Sequence, residues 1–491
     1  MSYRGFTSRV PKEERDLCDV RTAAAEFYRV NGVPQLIERA LNELFFLQPE
    51  DVHGYLANYF TNLCAPPRIS RLKGREVYDA RGQLSIEAEV FCIVCNEEKS
   101  MSSAAVSSHS GPKETSPVWK AKSQERADHV LTAAQWINGP LNNMLKGQNP
   151  CDQSDVDHIL SNFFTARFLE EKDIQKEEEE SRSPSETEVV LSSPLSAQTK
   201  NKKSVDKGKK SNSVEKPFPP AEPPEPALPG SSAIGSVSLA VAKTAAKIQG
   251  IPLYKHIAAL KNRKALFHIP VPLVTLLSCG KTSPGKLSLL KEVILIPKAG
   301  QRVKESKGKY EVSAGVLKSP DELVDVYQTL TSRYPAVVAL IDPFRREDID
   351  QWEKLSNVIG DSCSLLSDIT FKSKAPPLPG VRGHVLKHIR ETTVSDLICI
   401  TSEHQGSVMM GTACSEPCSE DSLSDIAVGL DLDYVKLGGL SGAERMTKYN
   451  RLISIEEELV QQGILVCEEK HPPPLFTERP QRQCAAAERT D

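Results

Sequence analysis

The segment VVALIDPFRRED, Val337 to Asp348, holds a candidate for chemistry. Four apolar residues lead into Ile341, then Asp342-Pro343-Phe344, then a burst of charge. A run that only a core would bury, followed at once by a carboxylate, reads as an interior strand ending at a site. Asp342 is then either part of a metal or acid–base centre or the remnant of one.

The cysteines are the other reactive group. Twelve of them are scattered from Cys18 to Cys484, as expected of reduced, mostly buried thiols rather than a disulfide framework. The closest pairs are Cys92/Cys95 and Cys414/Cys418. Cys92 and Cys95, three positions apart in FCIVC, would point to opposite faces of a strand. No second Cys/His pair follows at zinc-site spacing, so zinc is not expected.

The elements that must position such residues come from a chain of 491 residues, 39% hydrophobic and 26% charged, with net charge -4. That length allows two or three domains. No stretch approaches the roughly 20 apolar residues of a membrane span. The start, MSYRGFTSRVPKEERD, lacks the apolar core of a secretory signal. An intracellular, cytoplasmic protein with no membrane partner is expected. Balanced charge argues against a nucleic-acid partner, with the basic run Lys200 to Lys210 a local exception.

Composition divides the chain. Residues 1–16 read as disordered, and 17–66 as a helical unit. Residues 71–262 mix strands and helices around an insertion, 170–230, whose charge blocks and prolines cannot bury a core. Residues 263–470 alternate helices with short apolar strands, and 471–491 form a polar tail. In the fourth region the predicted strands are 293–297, 337–341, 364–366, 384–388, 407–410, 434–437 and 464–467. Ser319-Pro320-Asp321-Glu322 reads as a helix start. A β/α barrel is the natural architecture, with chemistry at the C-terminal strand ends.

Residues 33–63 predict two amphipathic helices. Leu36, Ile37, Ala40, Leu41, Leu44 and Phe45 share one face. After QPED, Val52, Tyr55, Leu56, Tyr59, Phe60 and Leu63 share another. Short helices cannot hide such stripes alone, so they pack on the next domain or dimerise. The pattern resembles the dimerisation-and-docking modules of cyclic-AMP-dependent kinase regulatory subunits and Dpy-30-like proteins. That resemblance implies a homodimer whose groove accepts an amphipathic anchoring helix at 33–63. A plain helical hairpin docked on its own protein is the other reading.

From Arg71 onward the chain resembles the enolase family. The resemblance rests on REVYDARG at 75–82, AIGSVSLAVAKTAA with IPLYKHIAAL at 233–260, and IPVPLVTLLSCG at 269–280. KGKYEV, RYPAVVALIDPF and VKLGGLSGAERMTKYNRLISIEEEL follow in the family's order. It implies an enolase-like α+β N-terminal domain, 71–262, and a TIM-like (β/α) barrel, 263–470, preceded by the two-helix docking-type module. The extra module and the insertion make the chain most like a divergent vertebrate branch associated with sperm, which implies a place in the flagellum.

Enolases are lyases of glycolysis that dehydrate 2-phosphoglycerate to phosphoenolpyruvate. Two Mg²⁺ ions carry the developing charge, a lysine acts as base, and a glutamate helps the hydroxyl leave. By resemblance, Lys387 in HVLKH is the proton-abstracting base, Lys436 in YVKLGG holds the substrate carboxylate, and Glu292 in LLKEVILIP lies near the substrate hydroxyl. A lysine at a strand end can also simply reach to solvent.

The departures from the family are heavier. Its metal-binding Ser in the D-S-R-G turn is Ala80 here. Its glycine-rich substrate loop becomes AVSSHSGPKE, the histidine of its N-G-G-S-H turn becomes Ser283, and its phosphate-gripping S-H-R-S turn becomes GTACSEPC. The metal-binding glutamate before Asp-Pro-Phe is Ile341. Asp368 in LLSDITF is the only candidate for the third metal aspartate, within one residue of register. The remaining metal aspartate and the catalytic glutamate belong to a segment that is absent, because only 298–309 joins VILIP to YEV and a strand plus helix needs roughly twenty residues. An incomplete barrel, weak Mg²⁺ binding and weak or no activity are expected, with an inactive structural or docking protein as the alternative.

Overall fold

The computed structural model describes residues 17–80, 82–107, 119–182, 228–262, 266–278, 292–295, 320–370, 375–388, 390–404, 406–412, 417 and 420–466. The expected disordered ends, most of the 170–230 insertion, the 298–309 joint and Ser319 lie outside them.

The N-terminal unit has three helices rather than two. Helix α1 spans Leu17–Val30, where the segment RTAAAEFYRV combines helix-forming residues with exposed aromatics. Helix α2, Val33–Leu47, has proline in its first turn and ends at Gln48 in the left-handed conformation. Helix α3, Val52–Asn62, starts at Asp51, whose carboxylate accepts the Gly54 N–H at 2.8 Å. The QPED segment is therefore a helix stop followed by an N-cap. Among the described residues of this unit only Ala40 is buried, and Ile37, Leu41, Phe45 and Phe60 are exposed.

A three-stranded antiparallel meander follows: β1 Arg68–Tyr78, β2 Leu84–Val94 and β3 Glu97–Val106. Alternation along β2 sends Ile86, Ala88, Val90 and Cys92 to the core. Four longer helices accompany the sheet, α4 Trp119–Trp136, α5 Gln153–Arg182, α6 Ser232–Gln249 and α7 Leu253–Leu260, with a π-helical turn, Ile137–Leu141, and one short helical turn, Asn142–Leu145, between the first two. Helix α6 is buried on nearly every side, which its run of Ala, Ser and Gly permits. Buried Asp157 on α5 ties three elements together. Its Oδ1 accepts from the Ser238 hydroxyl at 2.6 Å, and its Oδ2 accepts from the Ser395 N–H at 2.9 Å and hydroxyl at 2.7 Å.

The C-terminal region runs β4 Val271–Ser278, β5 Glu292–Leu295, α8 Pro320–Arg333, β6 Ala339–Ile341, α9 Ile349–Ile359, β7 Ser364–Asp368 and β8 Val381–Lys387. It continues α10 Val394–Glu403, β9 Ser407–Gly411, α11 Ser422–Gly429, β10 Tyr434–Gly438 and α12 Ala443–Gln461. Its strands form one sheet in the order β5-β4-β10-β9-β8-β7-β6. Neighbours are parallel except β4 and β5. Among the described residues the sheet has seven strands with β5 and β6 at its edges, an incomplete barrel.

Two strand expectations change. Of the expected strand 464–467, the described residues 464–466 contribute only an isolated bridge, Leu465 to Phe267, and Cys467 lies outside the described residues. Strand β4 arises from IPVPLVTLLS, which was not among the predicted strands. Proline inside a run argues against a strand, but Pro272 lies where β4 pairs only with β10, before its ladder with β5 begins at Val274.

Inside the curl, Leu273, Leu366, Val385, Met409 and Tyr434 pack together, one from each of five strands. Outside it, Phe344 clusters with Trp352 and Leu355 of α9 and Val324 of α8.

Candidate active site

Strand register builds the site. Val385, Met409 and Tyr434 are paired across β8, β9 and β10 and belong to the inner apolar layer. Two residues further on, the same face carries Lys387, Gly411 and Lys436, again in register. The two lysines therefore stand at C-terminal strand ends above the apolar layer, with a glycine between them. A Cβ on Gly411 would come to 3.3 Å from Lys387 Cγ, so the missing side chain leaves the room the lysine occupies.

The same step of two brings in the neighbouring strands. Leu366 lies in the inner layer and Asp368 follows it. Ala339 packs on that layer and Ile341 follows it. Lys387 Nζ donates to Asp368 Oδ2 at 2.6 Å. Asp368 Oδ1 accepts the Thr370 N–H at 3.0 Å and also the Thr370 hydroxyl. Burial opposes ionisation of Asp368, but the Lys387 ammonium and the Thr370 donors outweigh it and hold the carboxyl below its ordinary range. On the other side of Gly411, Lys436 forms an ion pair with Glu292 across β4.

Asp342 leaves this face. Its φ is +47°, in the left-handed region. Its carboxylate accepts the Asp368 backbone N–H at 3.0 Å. Ile341 occupies the inner rim position instead, 38% exposed.

Directly after β8, half-buried His388 sets Nε2 3.1 Å from the Thr392 carbonyl. Burial lowers its pKa, with Glu420 pulling the other way. Glu420 accepts from Lys243 at 3.4 Å and from the Ala105 N–H at 3.1 Å. Burial resists its ionisation too, and Lys243 with the backbone donors keeps it charged. This pair fastens the end of β3 to the start of α11.

Mg²⁺ requires several well-placed oxygens in near-octahedral array. The residues present do not fit it: among the described residues no three His, Cys, Asp or Glu side chains gather as a metal ion would need. Each Asp368 oxygen already accepts a proton donor, and Ile341 and the exposed Ala80 offer no side-chain oxygen. Ser283, 108–114 of the AVSSHSGPKE loop and 413–416 lie outside the described residues.

Sequence reasoning named Lys387, Lys436, Glu292 and Asp368, and the fold brings them together as two ion pairs. It missed Thr370 and Gly411. Register was the available signal, since both lysines lie two residues past an inner apolar position on the strands that flank β9.

Residues 304–471 match the family model of the enolase C-terminal TIM barrel domain. The chain is similar to Enolase 4 of Danio rerio, 41% identical over 97% of this chain and 98% of that protein. It is 38% identical to Enolase 4 of Xenopus laevis over the same shares. Identity to Enolase 4 of Homo sapiens is 35% over 96% and 93% of the two chains. The Danio rerio alignment runs over 569 positions against 491 residues here, so that relative carries residues with no counterpart in this chain.

Proposed function

The chain belongs to the enolase family, and we propose that it is a member in which dehydration of 2-phosphoglycerate to phosphoenolpyruvate is lost or severely reduced. One observation carries this reading: the 2.6 Å ion pair between Lys387 and Asp368. A lysine serves as base only with a free lone pair, and a carboxylate in contact favours the ammonium. Lys436 is likewise matched by Glu292. Neither lysine is left with uncompensated charge for an anionic substrate, and the site does not fit the Mg²⁺ of the family reaction.

The test is Mg²⁺-dependent formation of phosphoenolpyruvate from 2-phosphoglycerate by the purified chain. A rate several orders of magnitude below an ordinary enolase is expected, the usual scale for lost electrostatic stabilisation. Turnover within about tenfold of an ordinary enolase would overturn the reading.

The second reading is a structural or docking protein, favoured by the uncovered apolar stripes of α1–α3. In it the helical unit supports a homodimer and receives an amphipathic anchoring helix at 33–63, in the cytoplasm and in the sperm flagellum. Sedimentation of the full chain tests it: wild type runs as a dimer, and a Leu41→Glu/Phe45→Glu variant as a monomer. A monomeric wild type at micromolar concentration would end the docking reading.

A further inference from the structure

The curled sheet of the C-terminal region ends in two edges that border one interior. Among the described residues β5 pairs only with β4, and β6 only with β7. Ile294 of β5 and Ala339 of β6 nevertheless both pack on the inner apolar layer that Leu366 and Val385 share. The two edges therefore meet the same core from opposite sides. They are also its least covered part. No described side chain of β5 or β6 is buried, and Ile341 is 38% exposed. By contrast, all five residues of β9 and the first four of β7 are buried.

A closed (β/α) barrel has eight strands, and residues 304–471 match a domain of that kind. Among the described residues the sheet has seven, one short of closure. A strand edge with unpaired N–H and C=O groups is a template for another strand. Here two such edges flank one opening, and that limits what can enter. A second copy of the chain offers only edges joined to their own sheets, and a joined edge cannot lie between two others. A helix is about 10 Å across with its side chains, twice the ~4.8 Å between paired strands, and leaves both rows of backbone groups unpaired. A single extended segment satisfies both rows. Because β5 runs antiparallel to its neighbour β4, an entering strand is parallel to one edge and antiparallel to the other, whichever way it points. Its side chains alternate, so those facing Ile294 and Ala339 must be apolar.

We propose that the opening between β5 and β6 binds an extended segment of a second polypeptide, about five residues long, apolar at alternate positions and free of proline. The segment adds as the eighth strand, covers Ile294 and Ala339, and closes the curl.

The test uses the full chain. The probe is the part of the Danio rerio relative between its counterparts of Leu295 and Pro320, made as a separate polypeptide, since that relative carries residues with no counterpart here. Hydrogen exchange read by mass spectrometry is expected to slow about tenfold in β5 and β6 when the probe is in excess. The same probe with proline at the centre of its most apolar run is expected to leave both strands at the rate of the chain alone. Three results each overturn the proposal. They are no slowing in β5 and β6, equal slowing by the proline variant, and amides of β5 and β6 as slow as those of β9 before any probe is added.

Discussion

Asp342 accepts the backbone N–H of Asp368 at 3.0 Å, while its own N–H donates to the Leu366 carbonyl at 3.0 Å. The residue after Ile341 thus laces β6 to β7 beyond their ladder, from a left-handed backbone position that few residues adopt readily. Its carboxylate Oδ1 thus serves the main chain of the neighbouring strand.

Replacement of Asp342 separates these two demands. Asn tolerates the left-handed conformation and keeps an acceptor, so Asp342→Asn is expected within about 0.5 kcal/mol of wild type. Asp342→Ala loses the acceptor and gains strain, at about 1–2 kcal/mol. Urea denaturation followed by circular dichroism checks both, and equal costs would mean the side-chain contact is immaterial.

The Lys387–Asp368 pair is about three-quarters covered on each side, so removing one partner strands the other. Lys387→Met and Asp368→Leu alone are each expected to cost about 1–3 kcal/mol. The double variant should cost less than their sum by at least about 1 kcal/mol. A double-mutant cycle in urea measures this coupling, and simple additivity would show that the two side chains act independently.

Returning a carboxylate to the rim tests what the site lacks. Ile341→Glu adds one oxygen ligand beside an Asp368 already engaged by Lys387 and Thr370. Two carboxylates do not complete the set Mg²⁺ requires, so phosphoenolpyruvate formation should stay at the wild-type level. Recovery of even about a hundredfold by this one change would show that Ile341 alone silences the centre.

His268 supplies a pH dependence. Its Nδ1 lies 2.6 Å from Asp431 Oδ1 and its Nε2 3.0 Å from the Leu432 carbonyl, so two ring N–H groups have acceptors. Burial disfavours the charged ring, but Asp431 and the carbonyl prevail and raise its pKa. The folded value lies above the unfolded value of about 6.5. This stabilisation is therefore full below pH 6.5 and is lost as pH rises through the folded value. Melting temperatures from pH 6 to 9 should fall more steeply for wild type than for His268→Gln, and parallel curves would refute the assignment.

Much of this architecture was legible in the residues. Apolar runs located six of the seven barrel-region strands, because each is bounded by polar or turn residues. The seventh, β4, was masked by Pro270 and Pro272, since a proline's cost depends on whether a neighbour strand needs its N–H, which is a tertiary fact. Helix α1 carries a start signal, Asp16 directly before Leu17, but no turn motif like QPED to set it off from the chain around it. At the site, residue types were readable but pairings were not. That Lys387 meets Asp368 and Lys436 meets Glu292 depends on strand order and register across 19 and 144 residues of sequence.

Asp157 sets a clock on assembly. Its hydrogen-bond partner Ser395 lies 238 residues downstream. At the usual 5–20 residues per second of synthesis, roughly 10–50 s separate the appearance of the two. Throughout that interval the carboxylate that will be sealed between α5, α6 and α10 remains without its last partners. The N-terminal half leaves the ribosome unfinished, and its completion waits on the helix that follows Lys387.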